Sequence, residues 1–304
     1  MAFEIKEMTV KSTDNIHTLV GKIYIPSGEI KGLFHIVHGM TEHIERYDDL
    51  MSYLAENGYV AFGYDHLGHG KTARDDSELG FFASNSGWKI LVRDVAAVSK
   101  VVKDMYPEYP LTLYGHSMGS FIARITAEYF PELYNKLIIC GSGAKNPMAP
   151  AGLFLTSVIG SIMGKKHISK LVLQMAFGGY RKAFKNDGPH GWLTKDLKLI
   201  EKYQNDKFCT FSFTVSAMHD LIKLNSVCNS KQWFENINKQ MPIFIISGDK
   251  DPVGDFGKGI TKVYEKLKLS GANVSCKLYE NCRHEIHNDT CREEVKADIL
   301  AFIG

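Results

Sequence analysis

The sequence predicts an α/β fold: a mostly parallel central sheet flanked by helices, interrupted by a helical insertion. Three observations carry this. Between residues 32 and 141, short apolar runs alternate with helix-length amphipathic segments, the rhythm of a parallel sheet covered on both faces. The rhythm stops near Lys145, and no convincing buried strand follows until Pro242. It then resumes as strand, helix, strand, helix. The expected organisation is a core in two parts, 1–144 and 236–304, with a mainly helical insertion, 145–235, between them.

The elements follow in order. Phe3 to Val10 and His17 to Tyr24 are rich in alternating or β-branched residues, and Ser12-Thr13-Asp14-Asn15 between them supplies turn chemistry. The chain therefore opens with a hairpin. Gly32 to Val37 reads as a buried strand that stops at His38-Gly39. Tyr47 to Asn57 has helical spacing and ends at Gly58, a C-cap signal. Tyr59 to Tyr64 is the next strand, and Trp88 to Lys103 sets apolar residues at i, i+3 and i+4. Leu111 to Tyr114 runs straight into Gly115, Ser117 to Tyr129 reads as a helix closed before Pro131, and Leu137 to Gly141 is a fully buried strand. Beyond the insertion, Pro242 to Ser247 and Val274 to Tyr279 are strands. Phe256 to Leu269 and Asp289 to Ile303 are the helices that follow them.

Bulk properties narrow the class. Of 304 residues, 44% are hydrophobic and 23% charged, an ordinary balance with ample length for a core. A net charge of +2 with dispersed lysine and arginine argues against a nucleic-acid partner. No apolar run reaches the roughly 18–20 residues of a membrane span; Ala149 to Met163 comes nearest. Met1 to Glu7 offers neither the apolar core nor the cleavage site of a secretory signal, so a cytoplasmic location is expected. Six cysteines then read as reduced thiols rather than a disulfide framework. Cys276, Cys282 and Cys291 gather around His284 and His287, but their spacing is not the paired pattern of a structural zinc site, and no metal is expected.

Gly115-His116-Ser117-Met118-Gly119 is a G-x-S-x-G pattern lying between an expected strand and an expected helix. A strand that turns sharply into a helix holds the serine in a strained conformation with its oxygen exposed, and the neighbours must lack side chains. A serine hydroxyl is a poor nucleophile until a base removes its proton. On such a sheet the partners follow in the order nucleophile, acid, histidine, each on a loop after a later strand. Gly248-Asp249-Lys250-Asp251 follows one such strand, and Glu280 to His284 follows the next. Asp249 and Asp251 both stand in the first loop, where Asp249 also reads as a turn residue. His284 lies on the second loop; His287 sits near the last helix, where a cap or surface role is the plain reading. An oxyanion hole needs two backbone amides, one from the residue after the nucleophile. Met118 is that residue, and Met40, in the loop after the earlier strand, is the candidate for the other.

Together these residues resemble the monoacylglycerol lipase and lysophospholipase branch of the α/β-hydrolases, sometimes grouped with serine aminopeptidases. His38-Gly39-Met40-Thr41-Glu42-His43 followed by Arg46-Tyr47 is similar to that family's H-G-x-x-E-H…R-Y signature. Tyr64 to Gly70 contains its D-x-x-G-H-G segment, and Gly115 to Gly119 is its G-H-S-M-G elbow. Gly248 to Asp251 resembles its G-x-x-D acid loop, which favours Asp251 over Asp249. Gly191-Trp192-Leu193-Thr194-Lys195-Asp196 is similar to a W-L-[ST]-[RK]-D stretch in the family's cap, and His284 with His287 to its H-x-x-H. Thr41 stands where glycine is frequent and Thr72 where serine is frequent; neither change removes a catalytic group.

The resemblance implies a triad of Ser117, Asp251 and His284, a helical cap, an acyl pocket, no cofactor, and hydrolysis of esters bearing an acyl chain. The expected partner is a small-molecule acyl ester or lipid. The most apolar part of the insertion, Ala149 to Gly164, is a candidate lining of an acyl tunnel and a candidate for weak peripheral membrane contact. Two other readings stand beside this one: a peptidase using the same triad, and a non-catalytic binding protein on the same scaffold. Oligomeric state is left open.

Overall fold

The computed structural model describes residues 2–304. The opening hairpin forms as β1 (Phe3–Lys11) and β2 (Thr18–Pro26), paired antiparallel from Phe3 opposite Pro26 to Lys11 opposite Thr18. The first part of the core continues with β3 (Gly32–Val37), α1 (Asp48–Glu56), β4 (Tyr59–Tyr64), α2 (Gly87–Met105), β5 (Leu111–His116), α3 (Met118–Tyr129) and β6 (Lys136–Cys140). The second part is β7 (Ile243–Gly248), α9 (Lys258–Leu269), β8 (Val274–Tyr279) and α10 (Arg292–Ile303). One eight-stranded sheet results, ordered β1-β2-β4-β3-β5-β6-β7-β8. The two pairings of the hairpin end are antiparallel, and every neighbour from β4 to β8 is parallel.

Successive side chains of a strand point to opposite faces, and the inner strands use both for apolar packing. Leu33, Leu113, Leu137, Ile139, Ile243 and Ile245 join one core layer, with Leu91 and Val95 of α2 and Ile122 and Ile125 of α3. Phe34, Ile36, Tyr114, Ile138 and Ile246 join the other, with Leu50 and Leu54 of α1 and Val295 and Ile299 of α10. This double burial is why the strands read as continuous apolar runs.

Between β6 and β7 lie five helices: α4 (Ala149–Ile162), α5 (Lys170–Ala183), α6 (Leu197–Asn205), α7 (Val215–Cys228) and α8 (Lys231–Asn236). Ser169, Asp196, Thr214 and Ser230 cap the last four, each side-chain oxygen accepting from an amide two or three residues on. α4 is only partly covered. Only Ala149, Thr156 and Gly160 are buried, while Phe154 is 73% and Ile162 76% exposed. Leu155 and Ile159 alone of its large apolar side chains pack on the core. No helix among the described residues is long and apolar enough to cross a membrane.

Candidate active site

The carboxyl ends of β3, β5, β7 and β8 face one edge of the sheet, where ligand sites of open parallel sheets form. From β5 the chain turns into α3 through Ser117, at φ 54° and ψ −122°. That backbone is one L-residues rarely adopt, and it is held by the Ser117 amide donating to Cys140 O at 3.0 Å. Gly119 permits the turn: a Cβ there would fall on the carbonyl oxygen of Val37. Gly39 permits the approach of the facing loop, since its Cβ would lie 2.9 Å from that of Ser117.

The loops after β7 and β8 bring the other expected residues together. His284 Nε2 lies 2.9 Å from Ser117 Oγ, and His284 Nδ1 lies 3.0 Å from Asp251 Oδ1. A carboxylate only accepts, so Nδ1 carries the ring proton and Nε2 is free to accept from the serine hydroxyl. Asp251 is fully buried and held by two further donors, Val253 N–H at 2.8 Å and Ser247 Oγ at 3.1 Å. Asp249 stands apart, paired with Lys250 at 2.9 Å. His287 does not take the cap or surface role expected of it. It is buried, stacked on Tyr47 with ring centroids 4.5 Å apart, and burial drives its pKa well down. The amides of Met40 and Met118 have no backbone acceptor among the described residues.

Beneath the serine lies a charged network whose members stand in the quoted motifs but for which sequence reasoning assigned no role. Glu42 Oε1 accepts from the Gly39 amide, from Tyr47 OH at 3.0 Å and from His116 Nδ1 at 3.0 Å. Arg46 pairs with Glu285 and lies 3.6 Å from Glu42. Burial opposes the charge of Glu42, but the imidazolium of His116 and the guanidinium of Arg46 outweigh it and hold the carboxyl well below its usual range. Burial likewise opposes protonation of His116, and Glu42 reverses it, so the pKa of the ring is raised. Its Nε2 faces the carbonyl of His284 at 3.3 Å, a second acceptor suited to a ring with two N–H groups.

The segment Gly191–Asp196 of the insertion is clasped to the histidine loop. Trp192 O accepts from His284 N–H at 3.4 Å, and Leu193 O from Glu285 N–H at 2.8 Å. Arg283 donates to Gly191 O, Thr194 Oγ1 to Asn288 O, and Arg292 to Asp196. Sequence reasoning missed this clasp, although its residues are the W-L-T-K-D motif.

Two clusters carry metal-ligand residue types: His116 with Cys140 and His287, and His43 with Asp206 and Cys209. The chemistry of each opposes a cation. His116 is itself held charged, and burial pushes the Cys209 thiol up to about 12 despite Arg46 Nη1 at 3.9 Å. The expectation of six free thiols is corrected. Cys282 and Cys291 are joined as a disulfide, with Cα atoms 6.6 Å apart, because the histidine loop folds back onto the start of α10.

A serine elbow of this geometry at the carboxyl edge of a mostly parallel eight-stranded sheet defines an α/β-hydrolase. Within that class the chain belongs to the family described as serine aminopeptidase, S33, which matches residues 28–291. A monoglyceride lipase homolog from Monkeypox virus is 25% identical over 288 residues, 93% of this chain and 91% of its own length. The crystal structure of a highly thermostable carboxyl esterase from Bacillus coagulans, in complex with glycerol, superposes with a TM-score of 0.93 at 30% identity, over 100% of this chain and 98% of that one. A lipase in an open form superposes with a TM-score of 0.92 at 26% identity, over 99% and 98% of the two chains. The chain is a carboxylic ester hydrolase.

Proposed function

We propose that the chain hydrolyses single-acyl esters, monoacylglycerols or lysophospholipids, through an acyl-enzyme on Ser117. The observation that carries this is the position of the His284 ring, bridging Ser117 Oγ and Asp251 Oδ1 at 2.9 and 3.0 Å. His284 takes the hydroxyl proton as Oγ attacks the ester carbonyl, and the amides of Met40 and Met118 receive the oxyanion. Asp251 keeps the ring in the right tautomer and offsets the charge of the imidazolium. His284 then passes the proton to the leaving alcohol, and a water molecule repeats the sequence on the acyl-enzyme. The single-acyl class rests on the names of the lipase relatives.

The insertion, residues 145–235, serves as a cap over this site. Between Lys145 and Asn186 it carries no Asp or Glu, while Lys165, Lys166 and Lys170 stand in the stretch from the end of α4 to the start of α5. Exposed apolar side chains on a stretch with basic but no acidic residues suit contact with an anionic lipid surface, where a lipid substrate would be collected. The peptidase reading fares worse. It requires a carboxylate for the substrate's amino terminus, and Glu42 and Glu285 are both engaged by Arg46.

The test is an assay of the purified protein and Ser117→Ala against p-nitrophenyl esters of graded length, with monoacylglycerol and lysophospholipid alongside. Serine-dependent turnover that peaks at medium or long chains is expected. Turnover confined to acetate and butyrate contradicts the lipid assignment.

A further inference from the structure

Gly39 C=O and Met40 N–H belong to one trans peptide plane, so whatever fixes the carbonyl also fixes the direction of the amide. That carbonyl has a partner within the preceding residue: His38 Nδ1 lies 2.8 Å from Gly39 O. The other ring nitrogen, Nε2, accepts the backbone N–H of His66 at 2.9 Å. A nitrogen that accepts an N–H carries no proton, and a neutral imidazole carries one on the other nitrogen. The ring is therefore the Nδ1–H tautomer, and it donates to Gly39 O. Its orientation is fixed from every side. The side chain is wholly buried, its ring 4.2 Å from that of His66 and 5.1 Å from that of His69, and His66 Nε2 reaches back to His38 O at 3.2 Å. Burial keeps the ring neutral, against the pull of Asp65 and Glu42.

We propose that His38 is a positioning residue that aims the Met40 amide at the oxyanion and strengthens it as a donor, by donating to the carbonyl of the same peptide. Drawing electron density toward the carbonyl oxygen makes the amide N–H a better donor, the cooperative polarisation of linked hydrogen bonds. Glu42 holds the amide at the other end of Gly39, so the residue before the oxyanion donor is clamped at both its polar groups. The inference rests on the proposed role of Met40.

Two substitutions separate this role from a structural one. In His38→Asn the amide nitrogen falls where Nδ1 stands, so the bond to Gly39 O survives and the acceptor for His66 is lost. In His38→Gln a carbonyl oxygen reaches toward the Nε2 position, so the His66 bond survives and the Gly39 bond is lost. Removing an oxyanion donor outright costs about 100- to 1000-fold in kcat; loss of its alignment is expected to cost about 30-fold in His38→Gln, with KM within about twofold. His38→Asn is expected to keep kcat within about fivefold of the parent, while its thermal midpoint lies below that of His38→Gln. Activity and stability then rank the two variants in opposite orders. If activity follows stability, or if the loss falls on KM, the positioning role is overturned. Should neither variant fold, two-bond ¹H–¹⁵N spectra of the unsubstituted enzyme decide: an Nδ1–H tautomer at His38 upholds the inference, and an Nε2–H tautomer overturns it. Ser117→Ala assayed in parallel keeps the two proposals distinct, because turnover surviving there overturns the site itself, and His38 with it.

Discussion

The indole of Trp192 lies against the imidazole of His284, ring centroids 5.1 Å apart, while its backbone carbonyl accepts the His284 amide. One residue of the insertion thus touches both the ring and the backbone of the proposed base. The motif that holds it, Trp192 to Asp196, is bonded to the histidine loop along its length, so this end of the insertion is built as part of the site wall. Trp192→Ala is expected to lower kcat about tenfold through loosened placement of the ring. Trp192→Phe, which keeps an aromatic face, is expected to lose less than about threefold. Steady-state kinetics on one soluble ester check both.

Asp251 and Asp249 stand two residues apart and are expected to behave oppositely. An amide at position 251 favours the wrong imidazole tautomer, so Asp251→Asn is expected to lose about 10⁴-fold in kcat. Asp249 holds only an exposed lysine, and Asp249→Asn is expected to stay within about twofold of the parent. Equal losses in the two variants would contradict the assignment of the acid.

The buried Glu42–His116 pair makes stability depend on pH in both directions. Glu42, depressed in the fold, adds stability that is present above its ordinary value of 4.5 and lost as the pH falls through its folded value. His116, raised in the fold, adds stability that is full below its ordinary value of 6.5 and lost as the pH rises through its folded value. The pair therefore contributes most between pH 4.5 and 6.5. Thermal midpoints across pH 4 to 8 are expected to decline more shallowly on both sides of that window in Glu42→Gln, which lacks the carboxylate and leaves His116 without its partner. A profile for Glu42→Gln that runs parallel to the parent's would contradict the linkage.

Phe154 and Ile162 present the most exposed apolar side chains of α4. Replacing both with glutamate is expected to reduce co-flotation with anionic vesicles by at least about tenfold, since two charges are set against an apolar and anionic surface. Hydrolysis of a short soluble ester should be unchanged, because neither side chain packs against the core.

Much of the fold and of the candidate site is legible from local pattern. Ser117 and Asp251 each follow a doubly buried strand, and such strands announce themselves as apolar runs bounded by turn residues; His284 follows the edge strand β8, which is half exposed and marked by its β-branched and aromatic residues. Spacing alone does not separate Asp251 from Asp249; the family motif favours Asp251, and the structure places its carboxylate, not that of Asp249, against His284. His287 reads as a surface residue because the ring it stacks on, Tyr47, is distant in the chain and leaves no local mark. The same holds for the pairing of Glu42 with His116 and of Arg46 with Glu285, whose residue types signal charge but not partners. The outward face of α4 is hidden by composition: a segment apolar all round reads as buried, and only the packing of α7 beneath it decides which side is covered. Cysteine usage speaks to compartment averages, and the chain reversal that brings Cys282 to Cys291 lies outside its reach.

Covalent labelling tests whether Ser117 is the activated nucleophile proposed above. The native protein is incubated with a fluorophosphonate probe, weighed intact, and digested to locate the adduct. One adduct per chain is expected, on Ser117, absent from Ser117→Ala and much slower to form in His284→Ala. An unlabelled protein, or an adduct on any other serine, would contradict it.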